Sequence, residues 1–456
     1  MINNITKPIT FIKGLINKGH YRSVNAKKNI LASLVIRGCS IAISLVLVPL
    51  TIDYVNPTKY GIWLTLSSMI SWFGFFDIGF GNGLRNKFAE AKAKGQHKLA
   101  RIYVSTTYAI LVIIISVVLL LFFCINPFLN WSKILNTPSG MSGELSALAI
   151  IVFLFFCMQF VLQLITTILN ADQRPAKASF YNFLGSLFSL IIIFILTRTT
   201  SGNLIYLGLS FVFTQVVVLI TSSIWYYTHD YKRYAPSIRY VRFKFARNLM
   251  TLGLKFFVIQ ISFVVLYETS IIIIAQLFGP AEVTPYNIAY KYFSVFPMIF
   301  GIIMIPFWSA YTEAYVKKDY DWIRASMKKL IRIWLLFSLG ALVMLFFSNK
   351  IYTLWVGTAI KVPFLLSATI AFYIILNAWN MIFSVFLNGV GKIKLQLYFA
   401  IIGSLINIPL ALFLGKQIGI SGVVLSTCIL AIANAIWSPL QYYKVINNKA
   451  TGIWGK

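Results

Sequence analysis

The sequence predicts an all-α polytopic membrane protein with twelve transmembrane helices, arranged as two parallel-repeat six-helix bundles around a central cavity. Composition is the first reason: of the 456 residues, 59% are hydrophobic and 11% are charged, and the mean hydropathy is +0.80. In a typical soluble domain, about a quarter of the residues are charged. The other two reasons are a series of long apolar stretches and an internal repeat.

Each apolar stretch is about 20 residues long, which is the length that an α-helix needs to cross the hydrocarbon core of a bilayer. Together the stretches use almost the whole sequence, so little remains for a soluble domain. The predicted spans are residues 30–54, 60–82, 102–126, 145–169, 178–197, 203–227, 249–277, 285–309, 330–348, 364–388, 396–414 and 420–443.

The excess of basic residues, 40 Lys and Arg against 11 Asp and Glu, is typical of a nucleic-acid-binding protein until the charges are placed on the spans. With both termini cytoplasmic, 31 of the basic residues lie in cytoplasmic segments, 6 in outer loops and 3 within spans. Such a bias over short loops is the positive-inside pattern. We therefore expect a multi-pass protein of a bacterial inner membrane that contacts anionic lipid head groups and no nucleic acid.

An internal repeat relates the two halves of the chain. A shift of 223 positions aligns Pro57 with Pro280. A shift of 218 positions aligns the Gly-Ser-Leu sequence at 185–187 with the same sequence at 403–405. Because each copy contains an even number of helices, the second copy enters the membrane in the same orientation as the first. The halves are therefore predicted to be parallel repeats, a common plan among secondary transporters.

The repeat and the charges together predict five segments. In the first segment, isoleucines recur at helical spacing opposite lysines, which favours a helix lying in the membrane interface, with a frayed basic tail as the alternative. The segments are a cytoplasmic interfacial segment (1–29), an N-terminal six-helix bundle (30–227), a basic cytoplasmic linker (228–247), a C-terminal six-helix bundle (248–443) and a cytoplasmic tail (444–456).

Three basic residues lie within predicted spans, where a charge costs about 2.5–3.5 kcal/mol on insertion scales and usually faces a cavity or a partner. Arg37 and Lys255 occupy nearly equivalent depths in the first helices of the two halves, and Lys291 lies in the next helix of the second half. A cavity lined by these three side chains would suit an anionic substrate, because Arg and Lys bind phosphate oxygens. Alternatively, Arg37 and Lys255 extend to the head groups.

Two acidic residues, Asp77 and Glu268, also lie within predicted spans. They could form structural ion pairs, Asp77 with Arg37 and Glu268 with Lys291. They could instead carry a coupling proton, because burial raises the pKa of a carboxyl group toward physiological pH. Both interpretations remain open from the sequence.

The sequence gives little support to catalysis. Asp319 and Asp321 form a DxD sequence of the kind that glycosyltransferases use to hold a metal ion, but they lie in a short loop with no room for a nucleotide-binding domain. The cysteines lack the spacing of a metal site or a disulfide framework; they are Cys39, Cys124, Cys157 and Cys428. We therefore predict a protein that is not an enzyme and that holds no metal or organic cofactor.

One region resembles a known family. The sequences Val-Pro-Leu-Thr-Ile-Asp-Tyr-Val at 48–55, Tyr-Gly-Ile-Trp at 60–63 and Phe-Asp-Ile-Gly-Phe-Gly-Asn-Gly-Leu-Arg-Asn at 76–86 are similar to the helix 1–2 region of Wzx-type flippases. These proteins form the polysaccharide branch of the multidrug/oligosaccharidyl-lipid/polysaccharide (MOP) exporter superfamily. The family-like motif comprises Asp77, Gly79, Gly81, Gly83 and Arg85.

The resemblance implies a flippase that moves an undecaprenyl-diphosphate-linked oligosaccharide, an O-antigen or capsular repeat unit, from the cytoplasmic to the periplasmic leaflet by alternating access. It also implies a cationic cavity, which Arg37, Lys255 and Lys291 fit, an antiported proton or sodium ion, and a polysaccharide polymerase with its chain-length machinery as partners.

Three other functions were compared with this one. A multidrug cation antiporter of the same superfamily would need an acidic cavity. A lipid II flippase generally has two further helices. A polysaccharide-assembly scaffold would not depend on the three basic residues.

Overall fold

The computed structural model describes residues 21–77, 80–172, 174–246 and 269–455. Within these ranges the chain forms α-helices joined by short turns, and no β-strand is present. In the N-terminal half the helices of eight or more residues are α1 (Tyr21–Val55), α2 (Pro57–Ser71), α3 (Phe80–Ala93), α4 (His97–Ile125), α5 (Ser142–Leu162), α6 (Leu164–Ala171), α7 (Pro175–Thr199) and α8 (Leu204–Thr228).

The C-terminal half has six described helices. They are α9 (Thr269–Phe278), α10 (Val283–Val316), α11 (Tyr320–Val356), α12 (Phe364–Gly389), α13 (Lys394–Ile418) and α14 (Ile420–Ile446). A segment of 3-10 turns between 232 and 245 follows α8 and forms the described part of the predicted linker.

Nine of the described helices are long and apolar enough to cross a membrane, which makes this chain a multi-pass membrane protein. They correspond to nine of the twelve predicted spans. Helix α10 covers the predicted span 285–309, and α9 is a shorter apolar helix at the end of the span 249–277. The rest of that span lies outside the described residues, as does most of the predicted interfacial segment 1–29.

The predicted second span, 60–82, is not one continuous helix. Helix α2 ends at Ser71, a 3-10 turn covers Trp72–Asp77, and α3 begins at Phe80. Gly74 lies in this turn, and a glycine within a helix costs about 1 kcal/mol relative to alanine. The glycines of this region therefore favour a break that the apolar pattern alone did not indicate.

The helices place the loops at two ends of the molecule. The basic end holds the turns that follow α3, α6, α10, α12 and α14, together with the linker. The outer end, so named for its predicted location, holds the turns that follow α1, α4, α7, α9, α11 and α13. These two names are used below.

Turns that the repeat aligns have the same local geometry. At the basic end, Gly95 and Lys318 are aligned by the 223-residue shift and have φ of +70° and +58°. At the outer end, Asn56 and Gly279 are aligned by the same shift and have φ of +81° and +91°. A positive φ is uncommon for a residue other than glycine. Its occurrence at both pairs of aligned positions therefore supports the predicted relation between the two halves.

Each half packs mainly on itself: α1 contacts α7, α5 contacts α8, and α12 contacts both α10 and α14. One buried hydrophobic cluster nevertheless runs from the N-terminal half into the outer part of the C-terminal half; it includes Val48, Leu66, Ile274 and Phe293. A second cluster, which includes Phe300, Tyr311 and Ile382, fills the basic end of the C-terminal half alone. Among the described residues, the shared core therefore joins the halves toward the outer end.

Candidate functional site

The two halves are hydrogen-bonded to each other at the outer end. The Thr284 hydroxyl donates to the carbonyl oxygen of Pro57 at 2.6 Å. The buried Tyr60 hydroxyl donates to Oδ1 of Asn287 at 3.2 Å. The Asn136 side chain donates to the carbonyl oxygen of Ala275 at 3.1 Å. These contacts close the outer end between α2, α9 and α10.

The closest approach at the outer end involves a glycine. A Cβ atom built on Gly61 would lie 1.7 Å from the carbonyl oxygen of Pro280, so no side chain fits at this position. The 223-residue shift aligns Gly61 with Thr284 and Pro57 with Pro280. Thr284 contacts Pro57 while Gly61 contacts Pro280, so the two aligned turns contact each other reciprocally.

Two further hydrogen bonds reach α1 from the C-terminal half. Lys291 on α10 is partly buried, and its Nζ donates to the carbonyl oxygen of Ser44 at 3.4 Å. The Trp355 indole on α11 donates to the carbonyl oxygen of Leu45 at 2.8 Å. Helix α1 therefore forms part of the surface between the halves.

Arg37 lies on the same helix as this contact. It is seven residues before Ser44, which places it on a similar face of α1 and about 10 Å closer to the basic end. Its side chain is exposed. The structure thus puts two of the three predicted basic residues, Arg37 and Lys291, along one face of α1, while Lys255 lies outside the described residues.

The remaining predicted positions are described only in part. Asp77 ends the 3-10 turn between α2 and α3, but its side chain, like Gly79 and Glu268, lies outside the described part of the structure. Gly81 and Gly83 lie in the first turn of α3, and the Arg85 side chain is exposed. The predicted ion pairs of Asp77 and Glu268 are therefore untested.

A small cavity of about 20 Å³ lies within the C-terminal half. It is large enough for a water molecule. Glu268 precedes the lining residue Ser270 by two positions. The lining residues are Ser270, Tyr286, Tyr290, Ile370, Tyr373, Val424 and Thr427. The described residues contain no group of three or more His, Cys, Asp or Glu side chains that could hold a metal ion.

A charged cluster at the basic end attaches the linker to the N-terminal half. The Asp172 carboxylate accepts hydrogen bonds from Lys92 and, at 2.8 Å, from the Tyr231 hydroxyl. Arg174 bridges Asp172 at 3.3 Å and Asp230 at 2.6 Å. Burial, followed by the hydrogen bond to Asp172, raises the pKa of Tyr231. Tyr231 therefore stays a neutral hydrogen-bond donor throughout the physiological pH range.

Sequence reasoning did not identify the contacts at either end. The repeat aligned Pro57 with Pro280, but an alignment does not state that the aligned turns contact each other. Asp172 is separated from Lys92 and Tyr231 by 80 and 59 residues, and no local pattern predicts pairing over such separations.

Comparison with known proteins identifies the family. The model of the polysaccharide biosynthesis protein family matches residues 26–310, which is more than half of the chain. The chain belongs to this family. This match confirms the resemblance to the polysaccharide branch of the MOP superfamily that residues 48–86 indicated. A second family model, MatE, matches residues 256–413.

Two relatives of this chain are named for O-antigen export or transport. A Yersinia pseudotuberculosis protein named for O-antigen export is 20% identical over 360 residues, which cover 78% of this chain and 81% of the relative. A Salmonella typhimurium (strain LT2) protein named as an O-antigen transporter is 21% identical over 396 residues, covering 86% of this chain and 90% of the relative.

Solved structures share the fold. A multidrug resistance MATE family transporter of the MOP superfamily in its inward-facing conformation has a TM-score of 0.74 at 14% identity, covering 92% of this chain and 100% of the other. A MATE family transporter of the same superfamily in the outward-facing conformation has a TM-score of 0.63 at 14% identity, covering 95% and 98%. This chain therefore has the all-helical fold of these transporters.

Proposed function

We propose that this chain is a flippase that moves an undecaprenyl-diphosphate-linked oligosaccharide, an O-antigen or capsular repeat unit, from the cytoplasmic to the periplasmic leaflet of a bacterial inner membrane. Its family and the names of its two relatives support a polysaccharide-related substrate. The observation that carries the proposal is the placement of Lys291 against the face of α1 that also bears Arg37, below a closed outer end.

The proposed architecture is twelve helices in two parallel repeats, with residues 30–227 and 248–443 as the two bundles and 228–247 as the linker. The matched positive φ values at the aligned turns support it. So does the reciprocal contact between the turns that begin at Pro57 and Pro280. Both termini and the basic end lie in the cytoplasm in this proposal, as the positive-inside pattern predicts.

The proposed transport cycle is alternating access. With the outer end closed, the space between the halves opens toward the basic end, where the described contacts stay within each half. The higher TM-score against an inward-facing transporter than against an outward-facing one supports this assignment. Opening outward would break the contacts of Thr284 and Tyr60 and form new ones at the basic end.

The diphosphate of the substrate would bind the basic residues. A lysine ammonium has three donors, so Lys291 can keep its bond to Ser44 and still donate to phosphate oxygens. A glycan head group carries many hydroxyls, each of which costs a few kcal/mol to desolvate without a partner. A hydrated cavity removes this cost. Outward movement of each negative charge also gains about 2.3 kcal/mol per 100 mV across an inside-negative membrane.

A coupling proton or sodium ion is part of the proposal. The candidates are Glu268, which is close in sequence to the hydroxyl-lined cavity around Ser270, and Asp77 at the break between α2 and α3. In this scheme the chain is a carrier and not an enzyme, and a polymerase with its chain-length machinery uses the oligosaccharide after its transfer.

The test is the leaflet distribution of the lipid-linked oligosaccharide in cells that lack this chain and any duplicate transporter. An impermeant glycan-modifying reagent, applied to spheroplasts, reports the outer leaflet. We expect the oligosaccharide to accumulate on the cytoplasmic side and to be modified again once the chain is restored. An unchanged distribution would contradict the proposal and would favour the multidrug antiporter, which the MatE match and the fold also accommodate.

A further inference from the structure

The linker presents an unusual surface at the basic end. Two large apolar side chains protrude from it: Ile238 is 92% exposed and Phe243 is 57% exposed. Five basic side chains of the same segment are exposed as well. We call this surface the linker face; it consists of Lys232, Arg233, Ile238, Arg239, Arg242, Phe243 and Lys244. Basic residues interleaved with protruding apolar residues are typical of segments that lie in a membrane interface.

The linker is held in a defined position along α4. The backbone N–H of Ser237 donates to the Ser105 hydroxyl at 3.1 Å, and that of Arg242 donates to the Thr106 hydroxyl at 3.0 Å. Arg101 lies with its guanidinium 4.3 Å from the ring centre of Tyr240. Ile238 and Phe243 stay exposed beside these contacts, so neither side chain is buried against α4.

Neighbouring aromatic residues indicate the level of the linker relative to the bilayer. The Tyr227 hydroxyl on α8 donates to the Tyr108 hydroxyl on α4 at 3.0 Å, so these two positions lie at one level. Trp225, just before Tyr227, is 58% exposed, and exposed Trp is enriched at the membrane–water interface. Ser105 precedes Tyr108 by three residues, about 4.5 Å along the helix. The linker therefore lies at the level of the head groups.

We propose that the linker face docks into the adjacent lipid leaflet, with Ile238 and Phe243 entering the acyl boundary and the basic residues binding the phosphates of anionic lipids. The charge balance supports this occupant. The linker between 229 and 246 holds five Lys or Arg residues and one acid, Asp230, which is already paired with Arg174 at 2.6 Å. Residues 1–20 are a less favourable partner for the linker face. They contain three lysines and no acid, so their charge has the same sign as that of the linker.

Docking would fix the linker to the lipid and to the N-terminal half at the same time. Relative movement of the two halves would then be taken up between the linker and the C-terminal half. This inference concerns the linker and the bilayer and does not depend on which substrate the chain carries.

Nitroxide accessibility tests the docking in the full chain, in a background in which the four native cysteines are replaced by alanine. The spin label is attached at Ile238→Cys or Phe243→Cys in vesicles of phosphatidylethanolamine and phosphatidylglycerol. Leu120→Cys on α4, which is 64% exposed, is the lipid control. Asp321→Cys, whose side chain is 97% exposed, is the water control.

We expect labels at Ile238 and Phe243 to collide with oxygen like the lipid control, and to be several-fold better protected from a water-soluble nickel reagent than the water control. The protection should fall in neutral phosphatidylcholine vesicles. Arg239→Gln combined with Lys244→Gln should reduce the difference between the two lipids. Labels as accessible to nickel as the water control would overturn the docking, and labels protected from both reagents would show a protein cover instead.

Discussion

The outer end and the basic end of this molecule differ in how turns 223 residues apart contact each other. At the outer end, the turns at Pro57 and Pro280 contact each other across the two halves. At the basic end, the corresponding turns at Gly95 and Lys318 share their geometry, but the described contacts of each region stay within its own half. One end is therefore a closed junction between the halves. At the basic end, the linker is bound to the N-terminal half alone among the described contacts. This is what we expect of a conformation that opens on that side.

The largest expected effect comes from filling the closest approach at the outer end. Gly61→Leu places a side chain where a Cβ atom alone would lie 1.7 Å from the Pro280 carbonyl oxygen, so the outer end cannot close with this geometry. We expect glycan export to be lost at normal protein abundance. Cysteine labelling of Thr284→Cys from outside should become faster in the same background.

Gly38→Ala is the matched control for that substitution. Gly38 lies in α1, and a Cβ atom there would contact nothing within 4 Å. We expect wild-type export from this variant. Wild-type export from Gly61→Leu would show that the junction at the outer end is not needed in the transport cycle.

The next effect concerns the positive charges between the halves. We expect Lys291→Gln to reduce export more than tenfold, because the substitution removes a charge-assisted bond to phosphate worth about 1.5–3 kcal/mol. Arg37→Gln should act in the same direction. Export is measured with the leaflet assay at matched abundance, and Lys361→Gln, an exposed lysine of the outer end, is the control. If Arg37→Ala and Lys291→Ala both export normally, the cationic-site hypothesis is wrong.

A smaller effect is expected from one hydrogen bond of the outer junction. Tyr60→Phe removes the hydroxyl that donates to Asn287 at 3.2 Å and keeps the ring. A buried neutral hydrogen bond contributes about 1 kcal/mol, so the balance between closed and open outer ends should shift several-fold toward the open state. External labelling of Thr284→Cys measures the shift. An unchanged rate would mean that this bond persists in both states.

The smallest expected effect on transport lies at the basic end, where the change is one of stability. Asp172→Asn weakens the bonds that join Lys92, Arg174 and Tyr231, and we expect a loss of about 1–2 kcal/mol in stability of the N-terminal half. Thermal unfolding in detergent measures this loss. Asp321→Asn, at a fully exposed position of the C-terminal half, should leave the midpoint unchanged. Because the described partners of Asp172 all lie in the N-terminal half and its linker, the accessibility of Thr284→Cys should stay the same.

The sequence was sufficient for the all-helical membrane class and for nine of the predicted spans, because apolar length acts locally. The break between α2 and α3 was not predicted. An apolar stretch indicates that a segment is buried in lipid, but it does not indicate whether the helix is continuous there. The candidate site was predicted less completely. The depth of Lys291 could be counted from the sequence, but its contact with Ser44 depends on how α10 packs against α1. The linker was predicted as a basic loop, whereas its attachment to α4 rests on hydroxyls of Ser105 and Thr106 that no charge pattern indicates.

The reciprocal contact at the outer end has the form of an isologous interface, in which one surface patch meets its own copy across a two-fold axis. A homodimer of six-helix subunits would place the same residue at both copies of each position. In this single chain the two copies differ: one is Gly61, which admits the Pro280 carbonyl, and the other is Thr284, whose hydroxyl bonds to Pro57. A junction within one chain can therefore be asymmetric, tight on one side and hydrogen-bonded on the other, which a junction between two identical subunits could not be.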